Sequence, residues 1–235
     1  MNNSLSRSGL GQGKTRVVEV VGPAGAGKTT LYRELNCYTA FIRLENFPDV
    51  RKVADAPFFI SNGIQLIPSL LRLFQPNSRQ LTRREFAWMA ILHGWSKIFC
   101  NKARQDDKAI ILDQGPIYLL AEMRLFGPEF LQQKAAEQLW QDLYDRWAAT
   151  LNMVVWLDAT EEVLFHRIRN RQQEHIVKTQ PATLVYDFLD RYRREYEFLL
   201  STLIAKKANL KVLKFDTGRQ QPQAIVNQLL AELIC

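Results

Sequence analysis

The chain has no apolar run approaching the roughly 20 residues needed to span a bilayer, so no membrane-spanning helix is expected. Residues 1–15 are polar, serine- and glycine-containing, and lack the apolar core of a secretory signal. They read as a flexible tail ahead of the fold. Cysteine is scarce: Cys37, Cys100 and Cys235 are far apart and odd in number. That usage fits reduced thiols and a cytoplasmic setting better than a disulfide framework. Three scattered histidines offer no metal-ligand spacing. Acidic residues are outnumbered, 24 against 31 basic ones, leaving a net charge of +7. Anionic partners are therefore permitted, although basic runs such as Arg191/Arg193/Arg194 read first as solvated helix faces.

What is present is ordinary globular material, 47% apolar and 23% charged over 235 residues. That length suits one α/β domain over residues 16–235. Residues 16–21, β-branched and ending at Gly22-Pro23, predict a first strand, and residues 29–36 a first helix. A second strand is expected at 41–45. Residues 62–104 turn helical, with a break at 75–78, and Phe86, Trp88, Met89, Leu92, Trp95, Ile98 and Phe99 recur at helical steps as a core stripe. Short apolar strands follow at 109–113, 153–158 and 210–216, each closing on an aspartate. Helices are expected at 129–149, 160–172, 182–205 and 222–234. Strands alternating with helices imply a three-layer fold, with about five parallel strands covered on both faces.

Between the first strand and first helix stands Gly22-Pro23-Ala24-Gly25-Ala26-Gly27-Lys28-Thr29-Thr30. This is the Walker A spacing, G-x-x-x-x-G-K-T. Its glycines let successive backbone N–H groups converge on phosphate oxygens, and the helix start adds its positive dipole end. Lys28 is expected at the β- and γ-phosphates and the Thr29 hydroxyl at Mg²⁺. A similar run at Gly9–Thr15 lacks the first glycine, follows no strand and is set aside as tail.

Asp113 closes an apolar strand, the form of a Walker B segment, and so is expected beside the phosphate loop, where it could hold Mg²⁺. The next residue is Gln114. Where a motor ATPase places a water-activating glutamate, this chain has a side chain that cannot act as a base. No Asn-Lys-x-Asp base-reading motif and no Leu-Ser-Gly-Gly-Gln signature occur either. Arg167 and Arg171, four apart, are expected on one helix face. They could stabilise a migrating phosphoryl group, though that pattern alone fits a solvated basic face as well.

Together, the Walker A loop, the Ile-Ile-Leu-Asp113 and Val-Val-Trp-Leu-Asp158 strand ends, the Arg-x-x-x-Arg helix and Leu213–Gly218 resemble the P-loop nucleoside and nucleotide kinases. The resemblance is greatest to the thymidylate kinase and deoxynucleoside kinase branch. It implies a helical acceptor region at about 61–104 and a lid at about 160–180, with Arg167 and Arg171 approaching the ATP phosphates. It also implies that Asp216–Gly218 lies near the adenine, and that a charged group after the second strand faces the acceptor. Glu45 is the candidate there, as a base or as a turn residue, with Asp49 in reserve. Family members commonly follow the third-strand acid with arginine; here Gln114 stands in its place, and Arg83 or Arg84 could supply the missing cation.

The expectation is therefore ATP- and Mg²⁺-dependent phosphoryl transfer to a small-molecule acceptor, a nucleoside or nucleoside monophosphate foremost. A slow regulatory NTPase and a kinase for another metabolite are the alternatives. Nucleic-acid binding is disfavoured because the arginine clusters sit on helices the core requires. A homodimer is left open.

Overall fold

A computed structural model describes residues 16–74, 76, 78–102 and 107–234; the expected tail at 1–15 lies outside the described residues. The strands are β1 Val17–Val21, β2 Ile42–Glu45, β3 Ala109–Leu112, β4 Met153–Asp158 and β5 Lys211–Asp216, all parallel and ordered β2-β3-β1-β4-β5. The helices are α1 Lys28–Leu35, α2 Ala56–Arg72, α3 Arg83–Lys102, α4 Pro116–Phe126, α5 Glu137–Thr150, α6 Glu161–Asn170, α7 Ala182–Lys206 and α8 Pro222–Ile234.

The central strand shows how sequence makes the layers. Successive β1 side chains point to opposite faces. Val17 and Val21 pack into a core with residues of α3, α4, α5 and α7, while Val18 and Val20 pack with α1, α6 and α8. β1 and β3 are buried along their whole length, and every residue in them is apolar except Glu19 of β1. The chain leaves β1 toward β2 on one side and later returns past it to β4 on the other. That reversal puts the crevice at the carboxyl ends of β1 and β3, just before Gly22 and Asp113.

Three expectations need correcting. The helical region begins at Ala56, not near 61, because Pro57 in its first turn starts a helix rather than breaking one. The helix expected over 129–149 is two short 3₁₀ turns, at Glu129–Gln132 and Lys134–Ala136, followed by α5. An unexpected helix, α4, follows directly on Gly115-Pro116.

Candidate active site at the carboxyl ends of the strands

Gly22 leaves β1 so close to β4 that a Cβ there would lie 2.1 Å from the Leu157 carbonyl oxygen. Gly25 and Gly27 have φ of 81° and 92°, a region that side chains resist. These positions shape a loop that opens into α1. Pro23, Ala24 and Ala26 belong to the loop itself, and Thr29 and Thr30 are both exposed in the first turn of α1. The Lys28 ammonium folds back on the loop, donating to the carbonyls of Gly22 (2.6 Å) and Pro23 (3.0 Å). Burial pulls it down to about 8; the Asp113 carboxylate opposes that shift and Arg171 adds to it.

Asp113 sits one residue beyond β3. Burial pushes its carboxyl up, with Lys28 pulling it back. Its Oδ1 is buried and has no hydrogen-bond partner among the described residues. A buried carboxylate oxygen without a partner is costly unless something else completes it. The Asp113 oxygen, the adjacent Lys28 loop and the Thr29 position therefore fit a magnesium–triphosphate. Asp113 also lines a cleft of about 940 Å³, formed with the loop after β2 and residues of α2 and α3. Phe47, Phe59 and Trp88 give that cleft aromatic walls, and Arg51, Arg83 and Arg84 give it positive charge. The Arg84 guanidinium stacks 4.5 Å from the Trp88 ring centre, and none of the three guanidiniums has a carboxylate partner among the described residues.

The remaining candidates divide. Arg167 donates to the Gly25 carbonyl (3.3 Å) and to the hydroxyl and carbonyl of Thr217 (both 2.8 Å). It thereby ties the phosphate loop to the turn after β5. Arg171 does not share its helix face: α6 ends at Asn170, and Arg171 has extended backbone, φ −68° and ψ 146°. Its charge nevertheless acts on Lys28, and on His175 four residues later. Asp216 is spent within its own turn, accepting from Gly218 N–H (2.8 Å) and pairing with Arg219 at 3.4 Å. Glu45 is bound to Lys102 at 2.6 Å and does not line the cleft, whereas Asp49 does. Of the two carboxylates expected after the second strand, Glu45 thus has its own cation close by and Asp49 faces the cleft.

Sequence reading missed Glu19. It lies fully buried in β1, on the α4 side, and accepts the N–H groups of Gly115 (3.0 Å), Ile117 (2.9 Å) and Tyr118 (2.9 Å). Burial pushes its carboxyl up to about 8 against the pull of those three donors. Glu19 thus caps α4 and fixes the turn that carries Asp113 and Gln114. A charged residue inside Val-Val-Glu-Val-Val was the available signal, because a buried carboxylate demands partners. Tyr32 of α1 was missed too. Burial, with the charges of Asp113 and Glu45, pushes its phenol up to about 12.

The parallel sheet, the glycine loop opening a helix and the strand-end aspartate define a P-loop nucleotide-binding fold of the nucleoside-kinase type. Residues 17–199 match the AAA_33 family, described as an AAA domain, and the chain belongs to that family. Its fold is similar to that of deoxyadenosine kinase from M. mycoides with the products dCMP and a flexible dCDP bound. That likeness has a TM-score of 0.51 at 16% identity and covers 92% of this chain and 99% of that one. The same kinase with bound dATP aligns with a TM-score of 0.50 at 15% identity, covering 91% and 99%. No curated protein sequence matches. Among the described residues, no helix is long and apolar enough to cross a membrane.

Proposed function

We propose that residues 16–235 form one kinase domain that transfers a phosphoryl group from ATP to a small acceptor in the cleft beside Asp113. The observation that carries this reading is the unpartnered Asp113 Oδ1, shared between the phosphate loop and an arginine-lined cleft. The backbone from Gly22 to Thr30 cradles the triphosphate, and Lys28 exchanges its loop carbonyls for phosphate oxygens. Thr29 and Asp113 hold Mg²⁺, which supplies charge neutralisation at the phosphates. Arg167 fixes the loop against the turn of Asp216–Gly218, beside which the base sits, and Arg171 approaches the phosphates from the lid at 160–180. Such chemistry is mostly positioning and electrostatics.

The acceptor is a nucleoside or nucleoside monophosphate, and the cleft's charge favours the monophosphate. Arg83 and Arg84, on the first turn of α3, replace the arginine that Gln114 displaces, and the aromatic walls suit a base. A phosphate acceptor needs no general base; for a hydroxyl acceptor, Asp49 is the carboxylate in the cleft. The test is an acceptor screen with labelled ATP, comparing wild type with Lys28→Ala and Asp113→Asn. Label should move to a small compound and be largely lost in both variants. Rapid phosphate release with no acceptor present would favour a regulatory NTPase instead.

A further inference from the structure

Asp55 and Glu85 bracket a stretch of chain with no carboxylate, and no charge of either sign lies between Asp55 and Arg72. Helix α2 occupies that uncharged part, and its inner face, through Asn62, Gly63 and Leu66, is buried. Outward it shows Ile60 (63% exposed), Ile64 (61%), Ile67 and Leu71 (68%), with Val53 (89%) ahead of the helix and Phe74 beyond it. Positions 60, 64, 67 and 71 step by four, three and four, so they make one stripe along the helix. A contiguous apolar patch of several hundred Å² is the size at which a surface marks an interaction site.

The polar side chains beside the stripe are few and already engaged. Gln65 donates to the Ser61 hydroxyl (3.4 Å), and its other amide atom lies 3.2 Å from a ring nitrogen of His93. A protein partner is ordinarily met with about one hydrogen bond per 100–200 Å², which this stripe is poorly equipped to supply. The charges at its two ends are cations. Arg51 and Lys52 at the start and Arg72 at the finish are exposed, with no carboxylate partner among the described residues. The nearest carboxylates are turned onto backbone: Asp49 accepts the Arg51 N–H (2.9 Å) and Asp55 the Asp49 N–H (2.8 Å). A second copy of the stripe would set these cations against one another. Anionic lipid headgroups would neutralise them, and acyl chains ask the stripe for no hydrogen bonds. At the Phe74 end a hollow of about 210 Å³ lies between Ile67, Leu70, Leu81 and Phe130, an apolar recess for the end of such a chain.

We infer that α2 docks the protein on an anionic phospholipid surface, its apolar stripe immersed at the boundary between headgroups and acyl chains, and Arg51, Lys52 and Arg72 on the lipid phosphates. The docking is peripheral, since no helix among the described residues is long and apolar enough to cross a bilayer. The same segment walls the cleft through Val50, Arg51 and Phe59, so docking brings that wall to the lipid. The inference rests on the surface of α2 and stands whether or not the phosphoryl-transfer reading holds.

The test is flotation of the full chain with lipid vesicles on a density gradient, where aggregated protein stays at the bottom. Wild type should float with phosphatidylcholine vesicles that contain phosphatidylglycerol, and about tenfold more weakly with phosphatidylcholine alone. Ile64→Glu and Leu71→Glu should each abolish flotation. Lys52→Glu and Arg72→Glu should each weaken it about tenfold, and added salt should weaken it in wild type. Arg194→Glu makes the same charge change at an exposed site on α7 and should stay within about twofold of wild type. All variants should keep the helical circular dichroism of wild type. A wild type that floats with no vesicle would overturn the inference, as would flotation that survives Ile64→Glu and Leu71→Glu or is equal on neutral and anionic vesicles. So would a dimer in sedimentation velocity that both glutamate variants dissociate, because a second chain would then cover α2.

Discussion

At the phosphate loop most charged groups already have protein partners, whereas in the cleft beside Asp113 the arginines face open space. Lys28 is held by two carbonyls of its own loop, Arg167 by Gly25 and Thr217, and Asp158 by both nitrogens of an Arg193 fork at 2.9 and 3.0 Å. Arg51, Arg83 and Arg84 have no such anchors among the described residues. One end is preorganised for a fixed ligand shape, and the other keeps uncompensated charge that an anionic ligand can neutralise. Asp113 belongs to both ends.

The sharpest way to break this comparison is at the shared residue. Asp113→Asn and Lys28→Ala should each lower the rate of phosphoryl transfer about a hundredfold or more, the usual scale for one preorganised electrostatic group. An effect below tenfold on a folded protein would remove both from the machinery. Glu19→Gln tests the support beneath Asp113. Replacing an oxygen that accepts backbone N–H groups with an amide NH₂ should cost about 1–3 kcal/mol of stability, read by denaturant unfolding. Unchanged stability would mean that the α4 cap is dispensable.

Next in size is the acceptor side. Arg83→Gln or Arg84→Gln should raise KM for a phosphorylated acceptor about tenfold and leave KM for ATP within twofold. Equal effects on both substrates would erase the distinction between the two ends. The pH dependence of ATP binding sharpens it further. Lys28 titrates near 8 in the free protein, so below that pH it is charged and affinity should be flat. Above it, binding must also recover a proton, so affinity should weaken by up to tenfold per pH unit, and Lys28→Ala should remove the bend. Smallest of all, Glu45→Gln should change turnover less than threefold, because its partner is Lys102 and not a ligand. A large loss would restore it as a base.

The two ends also differed in how much of them could be read from the chain. The phosphate loop is contiguous, so its residue types and spacing carry the whole local structure. All five strands were legible, because apolar, β-branched runs between breaks have few other folds available. Asp113 followed from strand direction alone. The cleft is assembled from the loop after β2, from α2 and α3, and from the end of β3. Nothing local says that Asp49, rather than Glu45, enters it. Helix α4 was illegible for a related reason. Gly115-Pro116 looks like a break until Glu19, from a strand nearly a hundred residues away, caps the helix. Arg171 fails as a helical partner of Arg167 because α6 stops at Asn170, a boundary with no glycine or proline to announce it.

The central claim is that phosphate leaves a triphosphate on one side of Asp113 and arrives on an acceptor on the other. Phosphorus NMR of the protein mixed with magnesium, ATP and a panel of nucleoside monophosphates reads that directly. ADP should form together with a new nucleoside diphosphate, and neither should form with Asp113→Asn. Inorganic phosphate as the sole product, or no change in the ATP resonances with any acceptor, would contradict it.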